Sequence, residues 1–95
     1  MQKMIIQDIV QVNTSTYAIR FSGPEKPLNA MNNFLQRQSR DKAYWDDNGK
    51  AWIIRLDFLR CLSAHFENIE RALVIADRAA ALKKMRMLAR PKPES

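Results

Sequence analysis

The sequence predicts a small α+β domain in the order β-β-α-β-β-α, an antiparallel sheet packed on helices with a long C-terminal helix. Three observations predict it. Residues 4–22 are rich in β-branched residues and alternate apolar with polar. Residues 42–55 carry Asn48-Gly49 between two apolar runs, a hairpin signal. From Asp57 to Arg90 no glycine or proline interrupts an apolar pattern of helical spacing. At 95 residues the chain makes one domain, about residues 1–90, with a core over about 1–68. A long basic helix occupies about 57–90, and residues 91–95 form a disordered tail.

The first run, "MIIQDIVQV", places Met4, Ile6, Val10 and Val12 on one strand face. A helix is the rival, since Ile5, Ile6, Ile9 and Val10 also cluster at helical spacing. The next run decides for strand. "TYAIRFS" alternates Tyr17, Ile19 and Phe21 with Ala18 and Arg20, and "NTS" between the runs suits a turn. "GPEKP" then breaks the chain, and a helix starts near Pro27, a residue tolerated in a first turn. Leu28, Met31, Phe34 and Leu35 form its apolar side, with Asn33, Gln36, Arg37 and Arg40 outside, and it fades near Ser39.

In the second hairpin a type I′ turn at Asn48-Gly49 requires positive φ at both residues. Centring the turn there sets the register. Asp46 faces Ala51, Trp45 faces Trp52, Tyr44 faces Ile53, Ala43 faces Ile54 and Lys42 faces Arg55. One face carries Ala43, Trp45, Trp52, Ile54 and Leu56 and should meet the core. The other carries Lys42, Tyr44, Asp46, Ala51, Ile53 and Arg55. Both indoles are expected to anchor the core.

Asp57 suits an N-cap for the last helix. Leu59, Leu62, Phe66, Ile69, Leu73, Ala76 and Ala80 follow at steps of three and four, a heptad seam. An unbroken helix here would reach roughly 50 Å at 1.5 Å per residue, longer than such a domain is wide. Either it breaks near "FENIE", or its second half projects and packs on another chain.

The net charge of +6 calls for an anionic partner, nucleic acid first and a membrane surface second. Residues 41–70 are acidic on balance, with four Lys/Arg against six Asp/Glu. The last 25 residues hold seven Lys/Arg against two Asp/Glu, so basicity concentrates in the C-terminal helix. Small alanines along the seam speak against a membrane-lying helix there. A single cysteine, Cys61, fits a reducing compartment. The N-terminal stretch is not a signal peptide, and no apolar run reaches membrane-spanning length. A cytoplasmic protein is expected.

No catalytic pattern appears. His65 and Cys61 share a helix face, but no third Cys or His exists to complete a zinc site. Asp46 and Asp47 point to opposite strand faces and read as turn residues. Two glycines, Gly23 and Gly49, cannot build a phosphate-cradling loop. The chain is expected to be no enzyme and to need no cofactor or metal.

"YAIRFSGPEKPLNAMNNFLQRQ" followed by "AYWDDNGKAWIIRLDFLRCLSAHF" resembles the HARP-type DNA-binding accessory domain that precedes the motor of some annealing helicases. The resemblance covers about residues 16–68. It rests on Phe21 ending a strand, Leu28 to Leu35 in a helix, Trp45-Asp46 and Lys50-x-Trp52 about a turn, and Leu59 with Leu62 in a closing helix. It implies recognition of single-strand to double-strand junctions or branched DNA. The sequence departs from the family in carrying no motor, an Asn-rich first helix and a long basic last helix, so remodelling activity of its own is not implied.

Two functions are thus expected. The first is a small basic accessory protein that binds nucleic acid, DNA rather than RNA, through Lys42, Tyr44 and Arg55 on the outward hairpin face. Arg20 would extend that patch, and Arg78, Lys83, Lys84 and Arg86 would add electrostatic attraction. The second is a regulator or inhibitor that docks on a partner protein, or dimerises, through the C-terminal helix at Ile69, Leu73, Ala76 and Ala80.

Overall fold

A computed structural model describes residues 3–89. Strands β1 (Ile5–Asn13) and β2 (Thr16–Ser22) form the first hairpin, and α1 (Glu25–Gln36) follows. Strands β3 (Ala43–Asp46) and β4 (Ala51–Arg55) form the second. A short α2 (Leu56–Cys61), a 3-10 turn (Ser63–His65) and α3 (Ile69–Ala89) complete the chain. The four strands lie in the order β1-β2-β4-β3, every neighbour antiparallel, so β1 and β3 are the edges. The expected α+β order is the one observed. The expected tail, residues 91–95, and Arg90 lie outside the described residues.

The first hairpin pairs as its alternation predicts, turning where the Asn13 side chain accepts the Ser15 amide at 3.0 Å. Tyr17 and Ile19 are buried, as expected. The phase of β1 is not as expected. Its pairing slips between Ile6 and Asp8, a β-bulge at Gln7, and again between Gln11 and Asn13, at Val12. The first slip exchanges the two faces, so Met4 and Ile6 point inward before it and Ile9 and Gln11 after it. Val10 is therefore turned to solvent, and so is Val12 in the second slip, 62% and 54% exposed.

The second hairpin has the expected register throughout, Ala43 to Ile54 through Asp46 to Ala51. Its turn is different. Positive φ falls on Lys50, at 53°, and on neither Asn48 nor Gly49. Residues 47–50 make a four-residue loop instead of a type I′ pair. The Asp46 carboxylate accepts the Asn48 and Gly49 amides at 3.2 and 3.3 Å, capping the loop as it would a helix start. Both loops give the same strand register, which is why the pairing is right although the turn is not.

Helix α1 begins at Glu25, two residues before Pro27, whose missing N–H falls in a first turn that has no partner for it. It buries Met31 and Leu35 against the sheet. The C-terminal run breaks, as one of its two readings required. Phe66 is extended (φ −124°, ψ 139°) and bridges in parallel to Met4. Asn68 pairs with Ile6 as a strand would, accepting its amide and donating to its carbonyl, each at 2.9 Å. Pairing with β1 thus ends one helix and starts the next. Asp57 is not the N-cap, since α2 starts at Leu56, and its carboxylate accepts the Phe58 amide at 2.8 Å from within the first turn.

One core unites the inner face of the sheet with all three helices. Ile19, Leu35, Ile54 and Leu59 are fully enclosed, with Phe21 edge-on to Phe66 at 5.3 Å. Gly23 lets Met4 into this core, because a Cβ there would stand 2.8 Å from Met4 Cγ and 3.2 Å from its Cα. Trp52 is buried and donates its indole N–H to Asn32 at 3.1 Å. Trp45 meets it edge-on at 5.5 Å but, on edge strand β3, is 45% exposed and donates to Asp47 at 2.9 Å. Only one indole anchors the core. The expected seam is also spent inside the domain. Leu59, Leu62, Phe66, Ile69, Leu73 and Ala76 are all buried in this one cluster, with Ala80 half-buried at its end.

Candidate nucleic-acid interface

Since the helices share one side of the sheet, the other side is bare among the described residues. Its middle row runs Val10, Ala18, Ile53, Tyr44 across all four strands. Ile53 and Ala51 are buried on this face without belonging to the core, shielded by neighbouring side chains. At one end of the row the Arg40 guanidinium lies over the Tyr44 ring, 4.6 Å from its centroid. Arg40 sits in the loop after α1, four residues before Tyr44, and not on the polar side of that helix as expected, because α1 ends at Gln36.

Lys42 and Arg55 flank this pair. The Arg55 amide donates to the Lys42 carbonyl at 3.0 Å, continuing the hairpin past its last paired residues. Both side chains line a shallow recess with Asp41, Asp57, Phe58 and Cys61. Lys42 Nζ stands 5.9 Å from the Phe58 ring, and Arg55 Nε approaches Asp57 at 3.7 Å. Ser39 and its own backbone amide hydrogen-bond the Asp41 carboxylate and hold its pKa below the usual range. The two aspartates offset part of the positive charge here.

Arg20 does not extend this patch. Its guanidinium donates to the Lys50 carbonyl at 3.2 Å and to the Gly49 carbonyl, and pairs with Asp8 at 3.4 Å. Those partners hold it at the opposite end of the sheet, where it ties β1 and β2 to the second hairpin's loop.

The basic helix joins the patch from the other edge. Helix α3 runs alongside β1 in the same direction, from Asn68 at Ile6, through Asp77 at Gln11, to Lys83 and Lys84 beside Val12. It reaches the end of the sheet where β1 turns into β2. Thr16, first residue of β2, pairs with Arg55. Lys83, Lys84, Arg55, Lys42 and Arg40 therefore crowd one end of the molecule, and Arg86 continues the helix beyond it. The other end carries Glu25, Asp46, Asp47, Glu67 and Glu70 interspersed with Arg20, Lys26, Lys50 and Arg71, so it is close to neutral, and the gathering of cations is confined to the first end. Arg78 is exposed on α3 away from the sheet.

The remaining candidates resolve into structure. Asp46 and Asp47 serve the turn and the Trp45 indole, as above. Cys61 and His65 line an apolar cleft of about 470 Å³ with Met31, Phe34, Phe58 and Leu62. Among the described residues no three His, Cys, Asp or Glu side chains gather as metal ligands, and no helix is long and apolar enough to cross a membrane.

The fold and this surface define a small α+β domain with one bare sheet face and one basic end. No family model, curated protein or solved structure matches the chain.

Proposed function

We propose that this chain is a nucleic-acid-binding accessory protein that engages DNA with its basic end and the bare sheet face behind it, without catalysis of its own. The gathering of cations at one end carries this reading. Arg40, Lys42 and Arg55 gather about Tyr44 at one end of an uncovered sheet, and Lys83 and Lys84, far away in sequence, stand at the same end on the β1 side. Cations that meet phosphates beside a ring that stacks a base are what backbone-tracking DNA binders require. The resemblance of residues 16–68 to the HARP-type domain supports DNA over RNA and includes this hairpin. A reducing, cytoplasmic setting accords with the single cysteine.

The test is a fluorescence-anisotropy titration of single-stranded, duplex and forked DNA over a range of salt. Affinity should fall steeply with salt for at least one form. No binding at low salt, or binding indifferent to salt, removes the proposal.

The second reading, a regulator or inhibitor docking through α3, cannot use Ile69, Leu73 or Ala76, which are covered by the domain's own sheet. What favours it is a different side of that helix, where Ile75, Leu82 and Met85 are exposed.

A further inference from the structure

The side of α3 turned away from the sheet meets no other element among the described residues. Ala72, Leu73 and Ala76 are buried on the sheet side, and Lys83 and Lys84 line the groove along β1. At about 100° per residue the adjacent Val74 and Ile75 bound the opposite strip, and Arg71, Arg78, Leu82 and Met85 fall between them. Arg86 stands at its margin. All are exposed, and the four apolar members keep 49% to 62% of their surface in water. Half-exposed apolar side chains gathered on one strip mark a contact surface more than a solvated one.

The cations of this strip are not answered within the chain. The two acids of α3 turn elsewhere, Glu70 to Arg60 of α2 at 4.0 Å and Asp77 to Tyr17 and Gln11. Arg71 follows Glu67 by one turn, but no acid stands three or four positions from Arg78 or Arg86. Among the described residues none of these three arginines makes an ion pair.

We propose, resting on the reading of α3 as a docking helix, that this strip takes an acidic, leucine-bearing helix of a partner protein. Arginines interleaved with apolar side chains call for carboxylates interleaved with apolar side chains. A second copy of the chain brings the same acid-free strip, arginine against arginine. Nucleic acid would answer the arginines and leave the four apolar side chains in water. A membrane-lying helix needs an uncharged sector, and here Arg71 and Arg78 fall inside the apolar one. A helix flank offers no backbone partners, so an extended peptide gains no strand pairing on it. Arginine and methionine are also enriched at protein interfaces and lysine depleted, and the lysines of α3 lie on the sheet side. From Arg71 to Arg86 the strip is about 23 Å long, which a partner helix of about 15 residues matches.

The experiment is an NMR titration of the full chain, without DNA, against a synthetic helix of about 15 residues with leucine on one stripe and glutamate beside it. Amide shifts should change along residues 71–86 and saturate with a micromolar dissociation constant that rises with salt. Arg78→Glu should weaken binding by about tenfold or more, and so should joint Ile75→Ser and Leu82→Ser substitution. Where a variant fails to fold, the shift pattern of the unmodified chain remains decisive. A companion helix with glutamine in place of glutamate separates the acidic partner from docking as such. Equal binding of both helices overturns the acidic partner and leaves docking through α3 standing. No binding of either up to about 1 mM overturns both. Shifts centred on another surface, or a stronger response of α3 to phosphatidylserine vesicles than to the acidic helix, also overturn the proposal.

Discussion

Tyr17 donates its phenolic hydroxyl to the Asp77 carboxylate at 2.5 Å, joining central strand β2 to α3. Gln11 of β1 donates to both, at 3.2 Å each, so three elements meet in one polar cluster at the margin of the core. Burial and the bond to Asp77 both raise the tyrosine's pKa above its ordinary value. The folded state therefore holds the phenolic proton where the unfolded chain has released it. The stabilisation is whole below about pH 10 and is lost as pH climbs through the raised folded value. Tyr17→Phe should cost about 1 kcal/mol at neutral pH and flatten the alkaline fall in stability. Urea melts of both proteins from pH 7 to 11 measure this, and parallel alkaline profiles would refute it.

The two tryptophans should separate in the same assay. Trp52 fills the core and bonds Asn32, so Trp52→Ala should cost about 3–5 kcal/mol. Trp45 keeps nearly half its surface in water, and Trp45→Ala should cost about 1 kcal/mol, chiefly its edge-on contact with Trp52. Equal losses would show that Trp45 is as deeply held as the register alone implied.

The second hairpin's loop makes opposite demands on neighbouring residues. Lys50 holds a left-handed φ of 53°, which costs a side-chain-bearing residue about 1 kcal/mol. Lys50→Gly should therefore be neutral to stabilising, by up to about 1 kcal/mol. Gly49→Ala should destabilise, since its Cβ would stand 2.9 Å from the Asp46 Oδ2 that caps the loop. Thermal melts decide it. A type I′ turn would leave Lys50 in extended backbone, and Lys50→Gly would then destabilise.

That loop also shows what was legible from sequence. Asn48-Gly49 marks the centre of the turn, and centre plus alternation determine every cross-strand pair whichever turn is adopted. The surface set of Lys42, Tyr44 and Arg55 followed from that register. The bulge at Gln7 was hidden because no glycine or proline marks it, and it reverses Val10, while Val12 falls in a second slip between Gln11 and Asn13. The apolar seam from Leu59 to Ala76 was correct as a list of core residues, yet periodicity says nothing of the partner. A helix bent at Phe66–Asn68 wraps that seam onto its own sheet. Arg20 and Arg40 exchanged roles for a similar reason. Strand alternation gives Arg20 its face but not the loop carbonyls that capture it, and a loop residue such as Arg40 has no periodicity to place it.

The sharpest test of the proposed DNA contact compares Tyr44 with the cations around it. If a base stacks beside the Arg40–Tyr44 pair, Tyr44→Ala should weaken single-stranded DNA binding by about 1–3 kcal/mol. Its salt dependence should stay unchanged, because no phosphate contact is lost. Arg55→Ala should instead lower the slope of log affinity against log salt by about 1 and weaken all DNA forms alike. Arg20→Ala should change neither, since its guanidinium is engaged with Asp8 and the loop carbonyls at the far end of the sheet. Anisotropy titrations of the three variants at several salt concentrations separate these effects. If Arg20→Ala proves as damaging to affinity as Arg55→Ala while the fold is intact, DNA lies along the whole sheet and the basic end is not its principal seat.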